Sequence, residues 1–258
     1  MKALVRNLVV ISALIFGLSS LYSCSKDGEY SLGKFAVGVA TVVNEPGTNW
    51  YLKLDSGEKL WIAAGHPMYN YQAIDGQRVI IDYTPLSGPS DGFDHMIKLN
   101  RIWNIETKAV KEIFDEGELG DAGNNRCPIV AEGFPSGIWV SGENEYLNVV
   151  VAIYSSKYKV SLIDNTLMEY SDDGYKYLEL RYNAYDSELD YALAKPYSFV
   201  LKGLDFQGKK GLKIKRINVD GKEELMTYDF DEKNHFSLGS QDSDLNTGGE
   251  SVAGEVLR

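Results

Sequence analysis

The sequence predicts an all-β protein, with an N-terminal five-stranded barrel followed by a C-terminal antiparallel β-sandwich. Three observations carry that prediction. Between Ala36 and Ile105, apolar residues alternate with a period of two in five short runs, the pattern of half-buried strands. From Gly137 to Phe230 seven further runs follow, with turn signals between them, the rhythm of a sandwich. No long stretch carries the apolar period of a helix, and 17 tyrosines and four tryptophans enrich the chain in residues that suit strands.

The barrel domain is placed at residues 34–114. Its first strand, Ala36 to Val43, puts Val37, Val39, Thr41 and Val43 on one face and small residues with Val42 on the other. Trp50 to Leu54 and Lys59 to Ala63 flank Asp55-Ser56-Gly57-Glu58 and form a hairpin in which Leu52 and Leu54 answer Leu60 and Ile62. Gln77 to Thr84 alternates Val79, Ile81 and Tyr83. His95 to Ile105 alternates Ile97 and Leu99 and then changes phase at Ile102, which predicts a bulge. Five short strands with a bulge and glycines fit a small closed barrel of OB type. A five-stranded open meander is the plainer alternative, and periodicity does not separate the two.

Glu106 to Phe114 reads as either a helical turn or a strand extension. Residues 115–128 begin with the acidic, glycine-rich stretch DEGELGDAGNN and are expected to link the domains. The sandwich is placed at 129–230. In Tyr146 to Tyr154, Leu147, Val149, Val151 and Ile153 share a face. In Tyr175 to Tyr185, Leu178, Leu180 and Tyr182 share one face while Tyr177, Glu179 and Arg181 form an outward polar and aromatic row. Asp172-Asp173-Gly174 and Asp220-Gly221 mark hairpin turns. Residues 231–258 contain a stretch of Ser, Gly and acids after Ser237 and are expected to be a disordered tail.

The first 23 residues have the three-part plan of a secretory leader. Lys2 and Arg6 precede the apolar run LVVISALIFGL, and small residues follow. The run is shorter than the roughly 20 residues that span a bilayer. The leader runs into Leu21-Tyr22-Ser23-Cys24, which resembles a bacterial lipobox. Cys24 is therefore the expected lipidation site and the lipid bilayer its partner, with residues 24–33 as a tether. Two or three acyl chains together anchor firmly. Acylation of Cys24 leaves Cys127 as the lone thiol, so no internal disulfide is expected, and Cys127 is expected to pack at the start of a strand.

Loss of Lys2 and Arg6 with the leader takes the net charge from −11 to −13. A nucleic-acid partner would call for a basic surface, as would electrostatic attachment to anionic lipid. Neither is expected.

Several stretches together resemble the NigD-like family of Bacteroidota lipoproteins. Ser31-Leu32-Gly33-Lys34 leading into AVGVATVV, then WYLKLDSGEKLW, GQRVIIDYT, and Gly92-Phe93-Asp94-His95 with MIKLNRIWNIETKAV are similar to its N-terminal OB domain. Tyr146-Leu147-Asn148-Val149 and DGYKYLELRYNAYD are similar to its C-terminal sandwich domain, with Tyr182 where a histidine is expected. The resemblance implies an envelope location, carries no catalytic residues, and implies a bacteriocin-immunity role for some member. Ser25-Lys26-Asp27-Gly28-Glu29 also resembles the surface-export signal of that phylum, with Gly28 interrupting the acids. An outer-membrane, surface-exposed protein is expected, with a periplasm-facing orientation as the alternative.

Chemistry-bearing motifs are few. His66, His95 and His235 lack metal-ligand spacing, no G-x-S-x-G nucleophile context occurs, and Asp115 to Asp121 lacks EF-hand spacing. No cofactor, metal or catalytic residue is assigned. The candidate ligand-binding residues are Trp50, Tyr51, Trp61, Tyr69 and Tyr71. They lie on or beside strands two and three, the ligand face of OB barrels. Tyr51 and Trp61 alternate out of step with the core leucines and should face outward, free to stack on a sugar or peptide, or to pack against the second domain or the tether. A non-enzymatic binding or interaction role is expected, with an envelope protein, peptide or glycan as partner. An immunity protein and an envelope-polymer hydrolase are the alternatives.

Overall fold

The computed structural model describes residues 35–44, 49–65, 67–141, 143–187 and 192–230. The leader, Cys24, the tether, His66 and the tail with His235 lie outside the described residues, and so does the side chain of Tyr69.

Five strands form a closed barrel: β1 (Ala36–Val43), β2 (Tyr51–Leu54), β3 (Lys59–Ala64), β4 (Arg78–Ser87) and β5 (His95–Asn104), with a single-turn helix α1 (Pro67–Asn70) after β3. Strand β1 pairs antiparallel with both β2 and β4, and β3 pairs parallel with β5, which closes the ring. The open-meander alternative is thereby removed. Leu52, Leu54, Leu60, Ile62, Val79, Ile81, Ile97 and Leu99 fill the interior. The inward face of β1 is the small one, Gly38, Ala40 and Val42. At Gly38 a Cβ would come within 2.8 Å of Leu54 Cδ2, so the barrel is narrow where these strands cross. The expected bulge is present at Asn100, because Asp82 pairs with Arg101 while Tyr83 pairs with Leu99.

The sandwich has a five-stranded sheet of order β14-β13-β11-β10-β7 and a four-stranded sheet of order β6-β12-β9-β8. Its strands are β6 (Glu106–Ala109), β7 (Lys111–Ile113), β8 (Ile138–Val140), β9 (Tyr146–Ile153), β10 (Lys159–Asn165), β11 (Tyr175–Asn183), β12 (Leu193–Val200), β13 (Gly211–Ile217) and β14 (Glu223–Asp229). Leu147, Val149, Val151 and Ile153 on β9 meet Leu178, Leu180 and Tyr182 on β11 in the core between the sheets. Three pairings are parallel, β7 with β10, β6 with β12 and β11 with β13. The expectation of a purely antiparallel sandwich is corrected there, since these partners are joined by crossovers rather than hairpins.

Two expected boundaries are also corrected. Residues 106–114, assigned above to the barrel domain, leave it at Ile105 and enter the sandwich. Strand β6 pairs with β12 on one sheet and β7 with β10 on the other. Residues 115–128, expected to link the domains, begin with the helix α2 (Glu116–Ala122). The Asp115 carboxylate caps it by accepting from the Glu118 amide at 2.9 Å, and Glu116 and Glu118 in the first turn complement its dipole. Leu119 and Ala122 pack on Ile113 and Ile163, so the helix covers part of the outer face of the five-stranded sheet.

The barrel rests on the outer face of the four-stranded sheet. Val37, Val39, Ile80, Trp103 and Ile105 meet Trp139, Val150 and Ala194.

Candidate ligand face and the buried hub behind it

The five candidate aromatics divide into two groups. Trp50 and Tyr71 pack against the barrel core, with ring centroids 5.4 Å apart. The Tyr71 hydroxyl donates to Asn104 Oδ1 at 2.7 Å, and burial raises its pKa. Both rings are half-buried. Tyr51 and Trp61 are half-buried on the outer side of β2 and β3, as alternation requires. Both touch Phe93, Tyr51 edge-on at 5.2 Å and Trp61 tilted at 5.1 Å. Among the described residues, the β4–β5 loop thus covers these two rings.

That loop is built tightly. Ser90 and Phe93 exchange backbone hydrogen bonds of 3.0 Å in both directions. Asp91 and Gly92 between them have φ of 53° and 85°, the left-handed pair of a two-residue hairpin turn. Asp94 then fixes the chain to the barrel. Its amide donates to the Lys59 carbonyl at 2.9 Å, and its carboxylate accepts from the Lys59 amide at 2.8 Å. Beside this face His95 Nε2 lies 3.4 Å from Glu58 Oε1. Sequence reading passed over Phe93, although a ring directly after an Asp-Gly turn was the available signal.

A second group went unrecognised. Arg78 is fully buried where barrel and sandwich meet. Its Nη2 donates to the Asp55 carboxylate at 2.7 Å and to Asn148 Oδ1 at 3.0 Å, and its Nη1 donates to Thr41 Oγ1 at 2.9 Å. The guanidinium carbon lies 4.7 Å from the centroid of the Tyr146 ring. Asp55 also accepts from Trp139 Nε1 at 2.8 Å, and Ser198 Oγ donates to Asn148 Oδ1 at 2.6 Å. The Asp55-Ser56-Gly57-Glu58 turn thus brings a carboxylate into the interface. Above it a shallow cleft runs between the domains, bordered by Lys53, Gly57, Glu143 and Tyr146, with Lys53 and Glu143 ion-paired across it.

The row Tyr177, Glu179 and Arg181 faces outward on β11, as alternation predicts, but its central carboxylate is not open to water. Glu179 is 1% exposed. Tyr170 folds back from the β10–β11 connection, stacks on Tyr177 at 4.6 Å and donates to Glu179 at 2.5 Å. Burial works to raise the Glu179 carboxyl, but the Tyr170 hydrogen bond and the Arg181 charge outweigh it, and the net shift is downward. Cys127 is buried in the sandwich core, where burial pushes its thiol up to about 12.

Two family descriptions match consecutive parts of the chain, the NigD-like N-terminal OB domain over residues 39–105 and the NigD-like C-terminal beta sandwich domain over residues 113–231. The chain belongs to the NigD-like family. Solved structures share the architecture of this NigD-like chain. A protein of unknown function from Bacteroides vulgatus superposes with a TM-score of 0.66 at 24% identity, covering 86% of this chain and 99% of that one. A protein from Parabacteroides distasonis described as "Putative TOXIN related protein" has a TM-score of 0.56 at 30% identity, covering 76% and 94%. A NigD-like immunity protein from Bacteroides caccae has a TM-score of 0.51 at 19% identity, covering 78% and 98%. No curated protein matches.

Proposed function

We propose that this NigD-like chain is a non-enzymatic binding lipoprotein of the cell envelope, held on the outer membrane by acylated Cys24. The observation that carries the binding role is the outward placement of Tyr51 and Trp61 on β2 and β3, the face on which OB barrels take ligands. The leader and the Leu21-Tyr22-Ser23-Cys24 sequence support the anchor. Growth of the source bacterium on an alkyne-tagged fatty acid tests it. The label should enter the wild-type chain and be lost with Cys24→Ser, and an equally labelled variant would overturn the anchor. Protease treatment of intact cells then separates a surface position, where the protein is digested, from a periplasm-facing one, where it survives.

An immunity role is the second reading, supported by the description of the Bacteroides caccae relative. Under it, deletion of the gene sensitises cells to a co-encoded toxin, and unchanged survival counts against it.

A further inference from the structure

Phe93 lies between the two rings that the proposed binding role depends on. We propose that the Tyr51–Trp61 face is a receptor for an aromatic side chain presented by a peptide, and that Phe93 is a built-in competitor which such a ligand displaces. This rests on the binding role proposed above and names its ligand class.

The geometry argues for it in three steps. First, Phe93 touches Tyr51 edge-on at 80° and Trp61 at 53°, arrangements that aromatic pairs favour. The face therefore already holds one six-membered ring carried by a peptide backbone. Second, the support of that ring is local. The Asp91–Gly92 turn closes on itself through Ser90 and Phe93, and Pro89 to Gly92 are exposed. Asp94 is the next residue tied to the barrel, through Lys59. The hairpin can swing as a unit about Gly88-Pro89 and Asp94, giving up little beyond the packing of the Phe93 ring. Third, the rim carries the carboxylates of Glu58 and Asp94, the second accepting from the Lys59 amide and the first 3.4 Å from His95 Nε2. It offers no excess of cation for a polyanion. Phe93 meets both rings with its own apolar ring, which favours an apolar ring over a hydroxyl-bearing sugar.

Competition sets the expected magnitude. If the open form is about 10% populated, apparent affinity is about tenfold below that of the open face. The hairpin itself supplies a defined probe, the eight-residue peptide of residues 87–94, SGPSDGFD. The unacylated chain carrying Cys24→Ser is titrated with this peptide, and the Trp61 indole resonance, assigned through Trp61→Phe, reports binding. The same chain with Phe93→Ala should bind about tenfold more tightly, and the peptide with its phenylalanine changed to alanine should bind neither. Phe93→Leu, which keeps an apolar filler, should fall between. Unaltered thermal melting of both variants establishes that they are folded, and Phe93→Leu carries the test if Phe93→Ala is not.

Equal binding to wild type and variant, or no binding to either, overturns the competitor. Tighter binding of a neutral oligosaccharide such as cellohexaose than of the peptide overturns the ligand class. Neither result touches the fatty-acid labelling of Cys24, so failure here is distinguishable from failure of the anchored-lipoprotein reading.

Discussion

Arg78 of the barrel and Asp55, at the tip of the β2–β3 hairpin, form an ion pair at 2.7 Å with both side chains nearly closed to solvent. The pair is shared by the sandwich, because Asn148 and Trp139 hydrogen-bond to the same two groups. Replacing Arg78 with Met should cost about 3–5 kcal/mol, because it leaves Asp55 as a buried charge without its cation. Adding Asp55→Asn to that variant should recover part of the loss. Urea denaturation at neutral pH measures both. Arg78→Lys should also destabilise, since a single ammonium cannot reach Thr41, Asp55 and Asn148 in the planar geometry of the guanidinium.

Acid should weaken the sandwich in a defined window. Glu179 and Asp173 both have folded pKa values below their ordinary ones, Asp173 at about 2, where its hydrogen bond from Lys213 leads the shift. A lowered carboxyl stabilises the fold above its unfolded pKa, and that contribution is lost as pH falls through the folded value. Urea midpoints should therefore drop between about pH 4.5 and about pH 2. Glu179→Gln should lower stability at neutral pH and flatten this dependence. A curve of unchanged shape would remove Glu179 as its source.

The Cys127 thiol should be inert in the folded protein. Only the thiolate reacts, and burial holds the group up at about 12. In a chain carrying Cys24→Ser, a disulfide reagent at mildly alkaline pH should label Cys127 at the rate of unfolding, and rapidly in denaturant. Prompt labelling without denaturant would contradict the buried position.

Gly123 should not tolerate a side chain. It ends α2 with φ of 79°, and a Cβ there would lie 2.5 Å from the Asn183 Cβ and 2.8 Å from the Tyr182 carbonyl oxygen. Gly123→Ala should cost at least the 1–3 kcal/mol or so of a strained backbone. The helix should loosen first, which limited proteolysis near Glu118 would detect.

Strand faces were legible in this sequence wherever apolar residues alternate with others along the strand. Leu52 was set opposite Leu60, and Leu147 and Leu178 were each put on the apolar face of their own strand, by apolar alternation, and the bulge followed from the lost phase before Ile102. What escaped has a physical reason in each case. Strands β6 and β7, ETKA and KEI, are short, charged edge strands with almost no apolar alternation to read. Parallel pairing of β11 with β13 is a property of connections that leave the sheet and return, which period does not encode. Arg78 and Asn148 did leave a mark, each a polar residue set against an apolar run, RVII and LNVVV. A buried polar residue needs partners, so each pointed to an interface that strand periodicity could not locate. The division of the candidate aromatics was half legible. Alternation sent Tyr51 and Trp61 outward, but the position of Phe93 depends on where a turn folds back.

Strands β6 and β7 have a practical meaning for anyone dividing this molecule. The chain leaving the barrel lays an edge strand on each of the two sheets before α2 begins. A fragment begun at Ile129, the start of the sandwich expected from the sequence, would carry β10 and β12 with bare backbone edges, a template for sticking to other chains. A barrel fragment ended at Ile105 would expose Val39, Ile80 and Trp103 instead. Expression of either half alone should yield aggregates, and the smallest well-behaved piece should be the two halves together.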